Sequence, residues 1–267
     1  MKRKVFAYPY IVWMVLFIVV PMLFLFYYIG TNNGVFSMTR CFETLKDASN
    51  WQVLGKSVLV AGATTVICLL LGYPVAYILS NMKKTVAGFL SILFFVPMWM
   101  NFVLRTYAWK AILSALPSLL HTPALLGTTG AVLLVLVYNF LPFMVMPLYN
   151  TLSKMDKSLL EASRDLGANG ATTFLRVVLP LSVPGIVSGI TMVFIPAITA
   201  FTVPVIIGNS KESYYGNLIE QAFKTVGEAH GGFATGSTLA IILLVCVLIS
   251  TLVMNHFDKG QEGGNLL

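Results

Sequence analysis

Six stretches of the chain run without a charged residue: Val5 to Thr39, Ser57 to Met82, Thr85 to Leu104, Ala111 to Ser153, Val177 to Ser210 and Ala229 to Phe257. Each can supply the roughly 20 apolar residues that a helix needs to cross about 30 Å of hydrocarbon. The apolar positions do not alternate with polar ones, as barrel strands require; "VLLVLVYNFLPFMVMPLY" is apolar all round. A helix satisfies its own backbone in lipid, so the pattern predicts an all-α bundle. The spans fall near 8–29, 57–79, 86–106, 130–150, 178–203 and 235–256, in a single transmembrane domain over 1–267. The basic start followed by a long apolar run lacks a small-x-small cleavage site, so span one is expected to stay attached.

Composition removes the soluble alternative: 57% of residues are hydrophobic and 10% charged, against about 25% charged in soluble domains. Six spans place both termini on one side. Ten basic residues fall there (Lys2, Arg3, Lys4, Lys83, Lys84, Lys154, Lys157, Arg164, Arg176, Lys259) against seven opposite, so the termini are expected in the cytoplasm of a multi-pass cell-membrane protein. The formal +7 is then a topology signal and not a sign of nucleic-acid binding. Cys41, Cys68 and Cys246 are too scattered for a disulfide framework or a metal site, as are His121, His230 and His256. No phosphate-cradling glycine loop is present, and no ionisable group lies mid-span, where a proton or sodium carrier needs one. Energy for uphill transport is therefore expected from another protein.

One segment breaks the apolar pattern. "KMDKSLLEASRDLGANG" has Ser158 and Glu161 at capping-box spacing, and Gly167 and Gly170 suited to left-handed stops, which predicts a helix over 158–166. Leu159, Ala162, Ser163 and Leu166 share one small, apolar face; Glu161, Arg164 and Asp165 point elsewhere. "ATTFLRVVLPL" then resumes with Phe174, Val177, Val178 and Leu181 as its stripe, and Pro180 and Pro184 kink or delay its path into the membrane. Periodicity alone also fits an amphipathic helix lying on the inner leaflet. Against that, alanine and serine bury little area in lipid but admit a protein closely.

Here the chain resembles the membrane-spanning permease subunits of ABC importers, whose inner loop reads E-A-A-x-x-x-G, nine residues, I-x-L-P. This sequence has Glu161-Ala162-Ser163, Gly167 and Val177-Val178-Leu179-Pro180 at that spacing, with Ser163 and Val177 as mild departures. The resemblance implies a six-helix, type I importer permease with a cytoplasmic coupling helix inside segment 154–176. Glu161 would be a charged contact or reciprocal cap, Ala162 and Ser163 the close-packed face with Arg164 and Asp165 beside it, and Gly167 the turn. It also implies as partners a cytoplasmic ABC ATPase dimer, a second homologous permease, an extracytoplasmic substrate-binding protein and the bilayer. ATP and Mg would be bound by the ATPase, with no cofactor and no catalysis in this chain.

"GYPVAYILS", "VPMWMNFVLRTYAWKAIL" and "YNFLPFMVMPLYNTLSKMDKSLLEASRDLGA" are similar to the spermidine/putrescine branch of that family, of its first, B-type kind. A polycation's route wants aromatic faces and carbonyl oxygens. Trp99, Asn101, Tyr107, Tyr138 and Asn139 are the candidates, although rings also belt membrane interfaces and asparagine also joins helices. Arg105 and Lys110, near the outer end of span three, are expected to meet the binding protein or lipid phosphate. In the outer loop, Glu212, Glu220 and Glu228 could gather cations or be ordinary solvated acids. Two other readings stay open: a permease of this family for sulfate, molybdate, iron or phosphonate, or a secondary carrier working alone.

Overall fold

The computed structural model describes residues 8–32, 35–120, 123–208, 213–224 and 232–262. The chain forms α1 (Tyr8–Met14), a π turn (Val15–Val19), α2 (Val20–Ile29), a hairpin of two-residue strands β1 (Thr31–Asn32) and β2 (Val35–Phe36), α3 (Thr39–Lys46), α4 (Ala48–Asn81) and α5 (Lys84–Phe95). A 3-10 turn (Val96–Trp99) leads to α6 (Phe102–Leu120) and α7 (Thr129–Ser153). The polar segment gives α8 (Lys157–Asp165), then α9 (Gly170–Thr173), a π turn (Phe174–Val178) and α10 (Leu179–Leu181); α11 (Val183–Thr199), α12 (Thr202–Ile207), α13 (Tyr215–Lys224) and α14 (Gly232–Glu262) follow.

Four straight helical runs are long and apolar enough to cross a membrane: Pro9–Ile29, α4, α7 and Gly232–Met254. Two further runs, Lys84–Trp99 with Phe102–Pro117 and Gly170–Leu181 with Val183–Thr199, qualify only as bent pairs, at 89° and 62°. The run that contains the expected span 86–106 is therefore bent sharply at a break. Pro97 brings no N–H to a helical ladder, and Asn101 starts a new helix by accepting from the amides of Val103 (2.8 Å) and Leu104 (3.3 Å). The run around the expected span 178–203 bends as well, where Pro180 and Pro184 were expected to kink it: Pro184 lies at the start of α11 just past Ser182, and the backbone turns extended at Ala200.

The contacts gather into two compact units, residues 1–55 with 214–246 and residues 56–213 with 247–267. In the first, the Tyr28 ring stacks on Phe233 at 4.8 Å, and Phe223 meets Phe233 edge-on. Trp51 and Asn50 donate back to the carbonyls of Leu45 and Thr44, closing the corner between α3 and α4. None of the Pro9–Ile29 window is buried.

The second unit is built around α7, whose Val132, Val135, Met144, Val145 and Leu148 are sealed from solvent. Helix α11 approaches it through Gly185 and Gly189, four apart and so on one face. A Cβ at Gly185 would lie 2.6 Å from Thr151 Oγ1 and 3.1 Å from the Pro147 carbonyl; at Gly189 it would lie 2.6 Å from Met144 Sδ. Small residues here let the two backbones pack closely, which lipid alone would not drive. Threonines within the helices turn their hydroxyls to the carbonyl four residues back, as Thr64, Thr65, Thr106 and Thr191 do.

Candidate functional site

Helix α8 projects from the bundle with no buried residue. Its start differs from the expected Ser158–Glu161 box: Asp156 is the cap, its Oδ1 accepting from the Ser158 amide at 3.0 Å. That N–H, with the Ser158 hydroxyl, holds the Asp156 carboxyl below the usual carboxylate range. Ser158 is already helical, so its hydroxyl cannot serve as the cap, and the Glu161 carboxylate makes no hydrogen bond or ion pair among the described residues.

The other end closes as a Schellman turn. Gly167 has φ +81°, its N–H donates to the Arg164 carbonyl at 2.8 Å, and the Ala168 N–H donates to the Ser163 carbonyl at 3.1 Å. Gly170, expected to be a second left-handed stop, instead begins α9 in helical conformation. Asn169 caps that helix, its Oδ1 accepting from the Thr172 amide at 2.8 Å and the Thr172 hydroxyl at 2.9 Å. An asparagine just before a helical run is a cap signal the sequence carried, and it marks the restart better than the glycine does.

The two arms bound a groove of about 780 Å³ lined by Leu159, Ala162, Ser163, Leu166, Val177 and Leu181, among others. A hydrogen bond between Ser163 Oγ and Thr173 Oγ1 (2.9 Å) ties the arms together. Glu161, Arg164 and Asp165 are exposed, and Leu166 is 89% exposed at the tip. The segment is therefore an exposed projection with a small apolar face and a charged face.

Its root is fastened to the bundle by Phe174, from the expected apolar stripe, and by three residues that no local pattern marks: Tyr73, Tyr77 and Ser182. Phe174 lies edge-on to both Tyr73 (5.6 Å) and Tyr77 (5.7 Å) of α4. The hydroxyls of Tyr73 and Ser182 share a buried hydrogen bond of 2.8 Å at the 62° bend. These partners are over 90 residues apart, so no local pattern could pair them.

The five aromatic and amide candidates do not come together. Trp99, on the 3-10 turn, is 82% exposed and Tyr107 is also exposed. Asn101 has both acceptor positions of its oxygen engaged in capping α6. Tyr138 meets Trp109 edge-on at 5.2 Å and lines a cavity with Arg105. Asn139 is 1% exposed, with neither amide atom hydrogen-bonded. Arg105, expected at the outer surface, is only 7% exposed because the turn of the chain at Pro97 folds the start of α6 over the bundle. Glu220 is paired with Lys224 at 2.6 Å; Glu212 and Glu228 lie outside the described residues.

Comparison with known proteins gives the family and the fold. Residues 68–263 match the family described as binding-protein-dependent transport system inner membrane component. The spermidine/putrescine transport system permease protein PotB of Escherichia coli strain K12 is 37% identical, covering 94% of this chain and 97% of that protein. The protein of the same name from Haemophilus influenzae is 33% identical over 89% of this chain and 88% of its own length. Among solved structures, a bacterial ABC transporter involved in import of the acidic polysaccharide alginate superposes with a TM-score of 0.77 at 13% identity, covering 97% of both chains. The MetNI methionine ABC transporter gives 0.55 at 17% identity, covering 78% of this chain and 92% of that one.

Proposed function

The chain belongs to the family of binding-protein-dependent transport system inner membrane components, and from that premise we propose that it is the permease subunit of an ATP-driven importer of polyamines, spermidine or putrescine. The observation that carries the solute class is the near end-to-end identity of 37% with a spermidine/putrescine permease. The protein is a multi-pass membrane transport subunit and not an enzyme. ATP and Mg belong to a partner ATPase, and a second permease and an extracytoplasmic binding protein complete the complex.

The bent pairs count as spans three and five, giving six in one transmembrane domain with both termini cytoplasmic. Helix α8 is then the coupling helix. The charged face of Glu161, Arg164 and Asp165 contacts the ATPase, Ala162 and Ser163 allow close approach, and Gly167 turns the chain back to the bundle. Closure of the ATPase dimer on ATP moves α8. The Ser163–Thr173 bond, the Phe174 clamp and the Tyr73–Ser182 bond pass that movement to α4 and α11. Of the pathway candidates, Trp99 and Tyr107 present open rings to a polycation; Asn101, Tyr138 and Asn139 are engaged or enclosed in this conformation.

The test is reconstitution in proteoliposomes with the ATPase, second permease and binding protein, following ATP-dependent uptake of labelled spermidine and putrescine. Trp99→Ala is expected to lower uptake by about 2- to 30-fold, the range of one cation–π contact. ATP-driven uptake of sulfate, molybdate, iron or phosphonate in place of polyamine would overturn the solute. Uptake on an ion gradient without ATP would overturn the importer.

A further inference from the structure

The cavity under the break between α5 and α6 is about 450 Å³, within the roughly 300–1,000 Å³ of small-ligand sites. Its wall is apolar, largely from Leu79, Leu90, Leu93, Leu141 and Phe94, and Tyr138 and Arg105 are the lining residues that carry polar groups. Arg105 is 7% exposed and its Nε is buried without a hydrogen-bond partner. Among the described residues no acid pairs with it, and the Phe102 ring lies 5.9 Å from its guanidinium carbon. A buried cation without a counter-ion costs several kcal/mol. Such a cation beside a vacant apolar wall asks for a ligand that is acidic at one end and aliphatic along its length.

We propose that this cavity binds an anionic amphiphile, its acyl chain along the leucine wall and its acid oxygens on Arg105. The guanidinium fork matches the paired oxygens of a phosphate or carboxylate. Leu93 lines the cavity yet is 58% exposed, so a chain can enter from outside the bundle. The depth also fits. The 12 residues of α5 rise about 18 Å and the four of the 3-10 turn about 8 Å more, which together nearly cross a hydrocarbon core of about 30 Å. Starting from the membrane face at Lys83 and Lys84, Arg105 lies at the headgroup level of the opposite leaflet. The cavity shares Tyr138 with the pathway candidates, but the case for an anion rests on Arg105 and the leucine wall and not on which solute is carried.

The test uses the intact complex, delipidated and then titrated with phosphatidylglycerol, phosphatidylcholine or oleate, with retained adducts read by native mass spectrometry. One adduct is expected on the wild type. Phosphatidylglycerol should be held better than phosphatidylcholine, whose head carries its own cation; retention of oleate alone would identify a free fatty acid as the source. Arg105→Gln should weaken the adduct by about tenfold or more, as loss of a charge-assisted hydrogen bond does. Leu141→Trp, which fills the cavity and leaves Arg105 in place, should remove it while ATP-driven uptake persists, and it decides the matter if Arg105→Gln fails to fold. Absence of an adduct from the wild type, equal retention by wild type and both variants, or cross-linking of Arg105 to a carboxylate of the second permease would overturn the site.

Discussion

At φ +81° Gly167 holds a backbone that costs an L side chain about 1–2 kcal/mol, and nothing lies within 4 Å of where a Cβ would stand. The penalty is therefore pure strain, and it should be graded: Gly167→Asn mild, Gly167→Ala larger. Both variants should insert, with ATPase co-purification and amide protection at Leu166–Ala168 falling in that order; equal behaviour of the three would contradict the left-handed turn. Asp156 makes a pH prediction. Its folded-state pKa is depressed by the Ser158 amide, so its contribution is present above the ordinary carboxylate range and is lost as pH falls through the lowered value. Asp156→Asn keeps an acceptor at the cap but does not titrate, so amide exchange across α8 should lose its acid dependence in that variant. The turn at Gly167 was legible because glycine has one strong reason to follow a helix. The cap was not: Ser158 fits the box by spacing, and only the backbone shows that the helix has already begun two residues after Asp156.

Among elements, the contact of α7 with α11 sets the cost of change. At Gly185 an added methyl meets a backbone carbonyl and a Cβ, which cannot yield, whereas at Gly189 its nearest neighbour is the flexible end of Met144. Gly185→Ala should therefore lower the thermal midpoint in detergent more than Gly189→Ala, toward the upper part of the about 1–3 kcal/mol typical of overpacking. A reversed order would mean that the helices do not meet this way. Tyr73→Phe removes the bond to Ser182 at a cost of about 0.5–1.5 kcal/mol. It should leave ATPase binding intact but lower the solute moved per ATP, a ratio measurable in the same vesicles. Hydropathy located every apolar run but could not see the breaks. Residues on both sides of Pro97 and Ser182 are equally apolar, and a window average carries no information about direction. For the same reason Arg105 read as a surface charge, although beside the 89° bend it is largely covered by the bundle.

For the whole molecule, the orientation rests on a margin of ten basic residues to seven, so it merits a direct test. In a background free of other cysteines, a membrane-impermeant maleimide should reach Cys41 from outside intact cells, and should reach Ser158→Cys only after permeabilisation. The opposite pattern would put α8 on the wrong side for an ATPase. The apolar runs were open to sequence reasoning because lipid imposes length and apolarity on every crossing helix, and the family because Glu161, Gly167 and Pro180 stand at its motif's spacing. The fastening at Tyr73, Tyr77, Phe174 and Ser182 was not, since it joins residues brought together only by the folded chain. The 62° bend at Ser182 also has a mechanical meaning. A straight rod pushed at its end only slides along its axis, whereas a cranked one pinned at its elbow swings. Under the proposed coupling, the torque delivered to α11 would pass through that hydrogen bond and the two ring edges, and weakening them would turn a crank into a looser joint.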